Sequence, residues 1–132
     1  MSETTRENAG IARRFWAAAS QGNPDPVLEF DPNVVWRTYG QGPHAREISG
    51  LDAVLHYLES FGASAEALRL ELVDIFSSEA GAIIQYRVIA NRGPKDLETQ
   101  AFLRLAIEDG IVFQAEVVPF DQAKSAAFWR LQ

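Results

Sequence analysis

Four long runs of strand-forming residues, separated by short turns, constrain this 132-residue chain more than any other feature. They are Leu68 to Phe76, Ala82 to Ala90, Leu97 to Ile107 and Ile111 to Val118. Asn91-Arg92-Gly93-Pro94 and Glu108-Asp109-Gly110 join the last three. A parallel connection needs a crossover of about a dozen residues or more, so these neighbours reverse direction and pair as an antiparallel meander. Leu68, Leu70 and Leu72 alternate with Arg69 and Glu71, and Ile84, Tyr86 and Val88 with Gln85 and Arg87. One face of such a sheet needs a cover.

The rest of the chain supplies it. Thr4 and Glu7 have capping-box spacing, and Ile11, Phe15 and Ala18 follow at helical spacing, with Trp16 and Ala19 widening the stripe. Gly22 ends this helix, and Pro24 to Phe30 reads as a short helical turn. Val34 to Tyr39 is a strand by its β-branched and aromatic content, and the Gly/Pro-dense stretch Gly40 to His44 is a loop. Ser49 and Asp52 open a second helix through Leu51, Val54, Leu55 and Leu58, and Asp121 caps a last one, Gln122 to Arg130. The expected fold class is α+β. Helices gather on one side of a curved antiparallel sheet that curls into a cone around a largely apolar pocket. No linker or repeat divides residues 1–132, so one domain is expected.

Composition removes whole classes of function. Without cysteine there is no disulfide framework, zinc–thiolate site or cysteine nucleophile, and two histidines, His44 and His56, make a poor metal site. A net charge of -6 opposes nucleic-acid binding, which needs clustered Lys and Arg. No apolar run approaches the ~20 residues that span a bilayer, and Met1 to Glu7 lacks the apolar core of a signal peptide. The expectation is a cytoplasmic protein without nucleic-acid, membrane, metal or cofactor partners.

Three stretches carry a resemblance: Asp31 to Gly40, the helix start Ser49 to Val54, and Pro119-Phe120-Asp121 before Phe128-Trp129. They resemble SnoaL-like proteins of the nuclear-transport-factor-2-like superfamily, relatives of ketosteroid isomerase, limonene epoxide hydrolase and the SnoaL polyketide cyclases. The resemblance implies a cystatin-like α+β roll, cofactor-free acid/base chemistry on a small apolar carbonyl-containing molecule, or a non-catalytic binding role in the same cone. It also implies a homodimer through the outer sheet surface, which apolar residues on both faces of the later strands, such as Phe102 beside Leu103, would suit. It does not bring the isomerase site with it. Where that enzyme keeps a carboxylate base on its first strand this chain has Arg37, its first-helix tyrosine is matched by Phe15, and Thr99 to Phe102 holds no acid. The water-activating Asp-Arg-Asp arrangement of the epoxide hydrolase has no residue-by-residue match either.

Within that frame the candidate catalytic residues are Glu116, Arg37 and Asp74. Alternation on the last strand puts Gln114 and Glu116 opposite the apolar Ile111, Phe113, Ala115 and Val117, on a solvated face. Alignment of the resemblance on Phe120-Asp121 instead turns both inward, where desolvation would raise the Glu116 pKa. Arg37 shares a face with Val35 and Tyr39, and Glu116 is its natural ion-pair partner. Asp74 continues the phase of Leu68, Leu70 and Leu72, unless a bulge turns it to solvent. The candidate ligand-binding residues are Phe15, Trp16, Tyr39, His44, Tyr57, Tyr86 and Gln114. Each has an ordinary alternative: core packing for the aromatic residues, and solvation for Gln114 and a loop histidine.

Overall fold

A computed structural model describes residues 2–62 and 67–130. Helix α1 (Glu3–Ala19) leads through a 3-10 turn (Asp25–Glu29) to strand β1 (Val35–Thr38) and a short β2 (Glu47–Ser49). Helix α2 (Leu51–Gly62) follows, then β3 (Ala67–Ser78), β4 (Gly81–Arg92), β5 (Lys95–Glu108), β6 (Ile111–Pro119) and helix α3 (Gln122–Trp129). The first helix is capped two residues earlier than the Thr4–Glu7 spacing suggests: the Ser2 hydroxyl accepts from the Thr5 N–H. Asp121 caps α3 as expected, accepting from the Lys124 N–H at 2.9 Å. None of the described helices is long and apolar enough to cross a membrane.

The strands form one six-stranded sheet in the order β2-β1-β6-β5-β4-β3. The fold class is α+β, with a curved, unclosed sheet. β3 to β6 are the antiparallel meander, and β1 joins its β6 edge in parallel, an arrangement that the long connection between them allows. Asp109 and Gly110, at φ 51 and 78, form the two-residue turn between β5 and β6, the twist that joins antiparallel strands most easily. Gly81 opens β4 so close to β5 that an added Cβ would lie 1.9 Å from the Leu105 carbonyl oxygen.

The register sorts the side chains onto two faces. Ser77, Ala82, Leu105, Ala115, Trp36 and Ile48 form one inner row, and Ile75, Ile84, Leu103, Val117 and Thr38 the next. Phe15, Val27, Phe30, Val54 and Tyr57 pack onto these rows as the core. A second apolar group, Val88, Ala90, Leu97, Phe128 and Trp129, lies where α3 folds back over the sheet. On the outer face Phe76, Ile83, Arg104, Glu116, Arg37 and Glu47 stand in one row, and Asp74, Gln85, Phe102 and Val118 in the next.

Two bulges break the alternation. On β6, Ala106 pairs with Gln114 and Ile107 with Val112, leaving Phe113 as the extra residue. The continuous apolar face expected from Ile111 through Val117 therefore does not exist: Ile111 and Phe113 are exposed, and Val112 takes the buried place. On β3 the register shifts between Leu72 and Asp74, so Val73 is the extra residue and Asp74 pairs with Gln85 on the outer face.

Candidate functional site

The inner face of the sheet, α1 and α2 do not close on one another completely. They leave a cavity of about 710 Å³, walled by Phe15, Trp16, Trp36, Tyr57, Leu58, Leu68, Leu70, Tyr86, Leu103 and Val117, with the exposed Glu59 among its lining. That volume falls within the ~300–1,000 Å³ common for small-molecule sites. A hollow of about 60 Å³ adjoins it beneath the loop after β1 and shares Thr38, Phe61, Tyr86 and Val117 with it.

The helical stripe brings Phe15 and Trp16 to the cavity. Phe15 packs at 5.6 Å from Phe30 and 6.3 Å from Trp36, and Trp16 at 5.1 Å from Tyr86. Tyr86 points inward, as its alternation with Gln85 and Arg87 requires. Enclosure in apolar surroundings pushes its phenol far above the ordinary range, so it is a neutral O–H at any physiological pH. Its hydroxyl donates to no group of the protein among the described residues. Trp36 is 3% exposed and its Nε1–H is buried without a partner among the described residues, a deficit of about 1–3 kcal/mol.

Tyr57 and Thr38 are linked across the wall. The Tyr57 hydroxyl donates to the His44 carbonyl oxygen at 2.8 Å, and the Thr38 hydroxyl lies 3.0 Å from the Tyr57 oxygen. The imidazole of His44 packs edge-on against Tyr57, Phe61 and Trp129, at 6.1, 4.9 and 5.0 Å. Burial first, then the charges of Arg46 and Arg92, lower its pKa, so the ring is held neutral. His44 thus sits at the smaller hollow, as part of an aromatic seam that ties the loop to α2 and α3.

The proposed catalytic side chains are elsewhere. Glu116 and Gln114 are on the outer face, where alternation puts them, and the inward alignment taken from the resemblance does not hold. Glu116 does not pair with Arg37. It accepts from the Tyr39 hydroxyl at 2.5 Å and from Arg104 Nη1 at 2.8 Å, while Arg37 lies 3.8 Å from Glu47 and over the Tyr39 ring. The Glu116 pKa is lowered, first by the Tyr39 hydrogen bond and then by Arg104, where an inward carboxylate would have been raised. Asp74 is exposed and accepts from the Ile75 N–H, the solvated outcome of the bulge. None of these three acids and bases lines the cavity.

The cavity residues that sequence reasoning passed over are chiefly Trp36, Thr38, Phe61, Leu70 and Val117. Trp36 and Thr38 occupy the other phase of the β1 alternation that singled out Arg37 and Tyr39. That alternation was the available signal, and the buried, apolar phase is the one that faces inward.

Comparison with known proteins agrees with this geometry. The profile of a family described as "SnoaL-like domain" matches residues 12–114. The structure of Bal32a, from a soil-derived mobile gene cassette, superposes with a TM-score of 0.89 at 25% identity, covering 97% of this chain and 100% of that one. A protein from Jannaschia sp. CCS1, assigned as a SnoaL-like polyketide cyclase, gives 0.81 at 10% identity over 100% and 98%. An epoxide hydrolase of the LEH-like type from M. tuberculosis gives 0.71 at 15% identity over 93% and 91%. At such identities the last two show a shared fold alone. No curated protein matches the sequence.

Proposed function

The chain belongs to the SnoaL-like domain family, and from that premise we propose that its inner cavity binds one small, neutral, mostly apolar molecule carrying a carbonyl or similar acceptor. The observation that carries the reading is the cavity itself: about 710 Å³ of space walled chiefly by aromatic and aliphatic side chains, with Ser20, Gln21, Thr38 and Glu59 among its lining and no lysine or arginine there. An anion would enter such a space without a counter-charge, at a high desolvation cost. The unpartnered Tyr86 hydroxyl supplies a donor to a neutral acceptor.

Binding is favoured over carboxylate-driven turnover because Glu116, Arg37 and Asp74 lie outside the cavity. The family includes cyclases, isomerases and epoxide hydrolases, and one observation keeps acid/base chemistry as the second reading. Neutral His44 and the protonated Tyr86 both line the smaller hollow, where a base and an acid could act on one ligand. The outer face supports a partner of its own: the Phe102 and Phe120 rings pack tilted at 4.8 Å beside the exposed Val118, with the exposed Phe76 farther across the same face, a surface suited to a second copy of the chain.

Pyrene, a neutral four-ring probe, tests the binding reading. It should quench the fluorescence of Trp16 and Trp36 saturably, at one probe per chain. Leu70→Trp, which narrows the cavity beside Tyr86, should weaken that quenching while leaving the circular dichroism spectrum native. Absence of saturable quenching by pyrene in the wild-type protein would refute the assignment.

A further inference from the structure

Thr38 is a wall residue whose hydrogen-bonding role the surrounding geometry decides. The Tyr57 phenol has a single proton, and burial keeps that proton on the oxygen at neutral pH. The His44 carbonyl can only accept, so the 2.8 Å contact uses the proton. The Tyr57 oxygen can then meet Thr38, 3.0 Å away, only as an acceptor. The Thr38 hydroxyl must therefore be the donor in that pair, and its proton is committed. What Thr38 can offer elsewhere is lone pairs. It lies on the walls of both the larger cavity and the smaller hollow, with β6 and β5 between its strand and that of Tyr86 on the same inner face.

We infer that Thr38 is locked as a hydrogen-bond acceptor and selects ligands that bring a hydroxyl or N–H donor to it, alongside the acceptor that meets Tyr86. This rests on the cavity being a ligand site. The chemical class is then a neutral, mostly apolar compound bearing both a carbonyl or similar acceptor and a hydroxyl or N–H donor, in preference to its O-methylated counterpart. Tyr57 is the positioning residue: it touches Thr38 and fixes the direction of that proton.

Hydroxypyrene and methoxypyrene, substituted at the same carbon, differ in the donor and one methyl group, and Thr38→Val separates the two contributions. The wild-type protein should bind hydroxypyrene about threefold to tenfold more tightly, the range one net hydrogen bond gives. Thr38→Val should erase the difference with little change in pyrene affinity. Tyr57→Phe should erase or invert it, because Thr38 is then free to donate to the methoxy oxygen. Tyr86→Phe should keep it. Equal binding of the two probes by the wild type overturns the inference, as does a preference that survives in Thr38→Val or disappears only in Tyr86→Phe. If unsubstituted pyrene also fails to bind, the cavity reading falls and the inference with it. If pyrene binds and only the preference is missing, the cavity reading stands alone.

Discussion

The two faces of the sheet are built from the same six strands yet follow opposite electrostatic rules. On the outer face charges meet charges: Arg104 with Glu116, Arg37 with Glu47, Arg87 with Glu71 and Glu98. Water screens these pairs, and each contributes little to stability. On the inner side, around the cavity, neutral polar atoms predominate, among them the hydroxyls of Thr38, Tyr57 and Tyr86 and the N–H of Trp36, with the exposed Glu59 as the carboxylate of the lining. There each proton matters, because a buried group without a partner costs more than a missing surface ion pair. A reader searching for chemistry by formal charge is drawn to the outer face. The space for a ligand is on the other.

The contrast can be broken by substitution. The largest effect is expected from Ile84→Ala, which empties a fully buried inner position and should lower unfolding free energy by about 2–4 kcal/mol in urea titrations. Its outer neighbour Ile83→Ala should cost less than about 1 kcal/mol in the monomer. Equal losses would mean that the outer face is buried too. Phe102→Glu addresses that directly: sedimentation velocity should show a shift from dimer to monomer if a second copy covers this face, and an unchanged coefficient would remove the dimer proposal.

Acidification should act through the inner seam. The folded His44 pKa lies below its ordinary value of about 6.5, so the unfolded chain binds the proton more readily. The contribution of neutral His44 is then complete above about pH 6.5 and is lost as pH falls toward the lowered folded pKa. Melting temperature should drop between pH 7.5 and pH 5.5 by more in the wild type than in His44→Phe, and parallel drops would exclude the seam as the cause. Glu116 also has a lowered pKa, so its contribution is present above the ordinary carboxylate pKa and fades at lower pH, below the His44 window. The smallest effect is expected from Glu116→Gln. Pyrene affinity should stay within about twofold of wild type, since the carboxylate has no access to the cavity, and a tenfold loss would return Glu116 to the site.

The meander, the helical cover and the inward direction of Tyr86 were legible because alternation is a local property that burial enforces row by row. The bulges at Val73 and Phe113 were harder to read. Each inserts one residue and reverses the phase, and nothing in the composition of Leu72-Val73-Asp74 or Val112-Phe113-Gln114 separates a bulge from a continuous strand. Asp74 could therefore be read both ways, and the apolar face drawn through Phe113 was false. The short β2 was hidden in a loop rich in glycine, because its Glu47-Ile48-Ser49 carries only one apolar residue. Arg37 and Glu116 drew notice as charges on adjoining strands. Their pairing failed because Arg104 and Tyr39 reach Glu116 more directly. Thr38 was invisible for the converse reason: a threonine in a strand looks like strand propensity, and only its neighbours reveal what its hydroxyl has left to give.

The cavity has one more consequence. A domain of this size that keeps such a volume unfilled forgoes the contacts its wall atoms would otherwise make, so an occupant adds to the folded state what packing left out. Binding linkage then makes the melting curve a detector: a ligand present at about a hundred times its dissociation constant would add about 2.7 kcal/mol. A metabolite extract could be searched fraction by fraction, with the hollow core reporting its own guest as heat resistance.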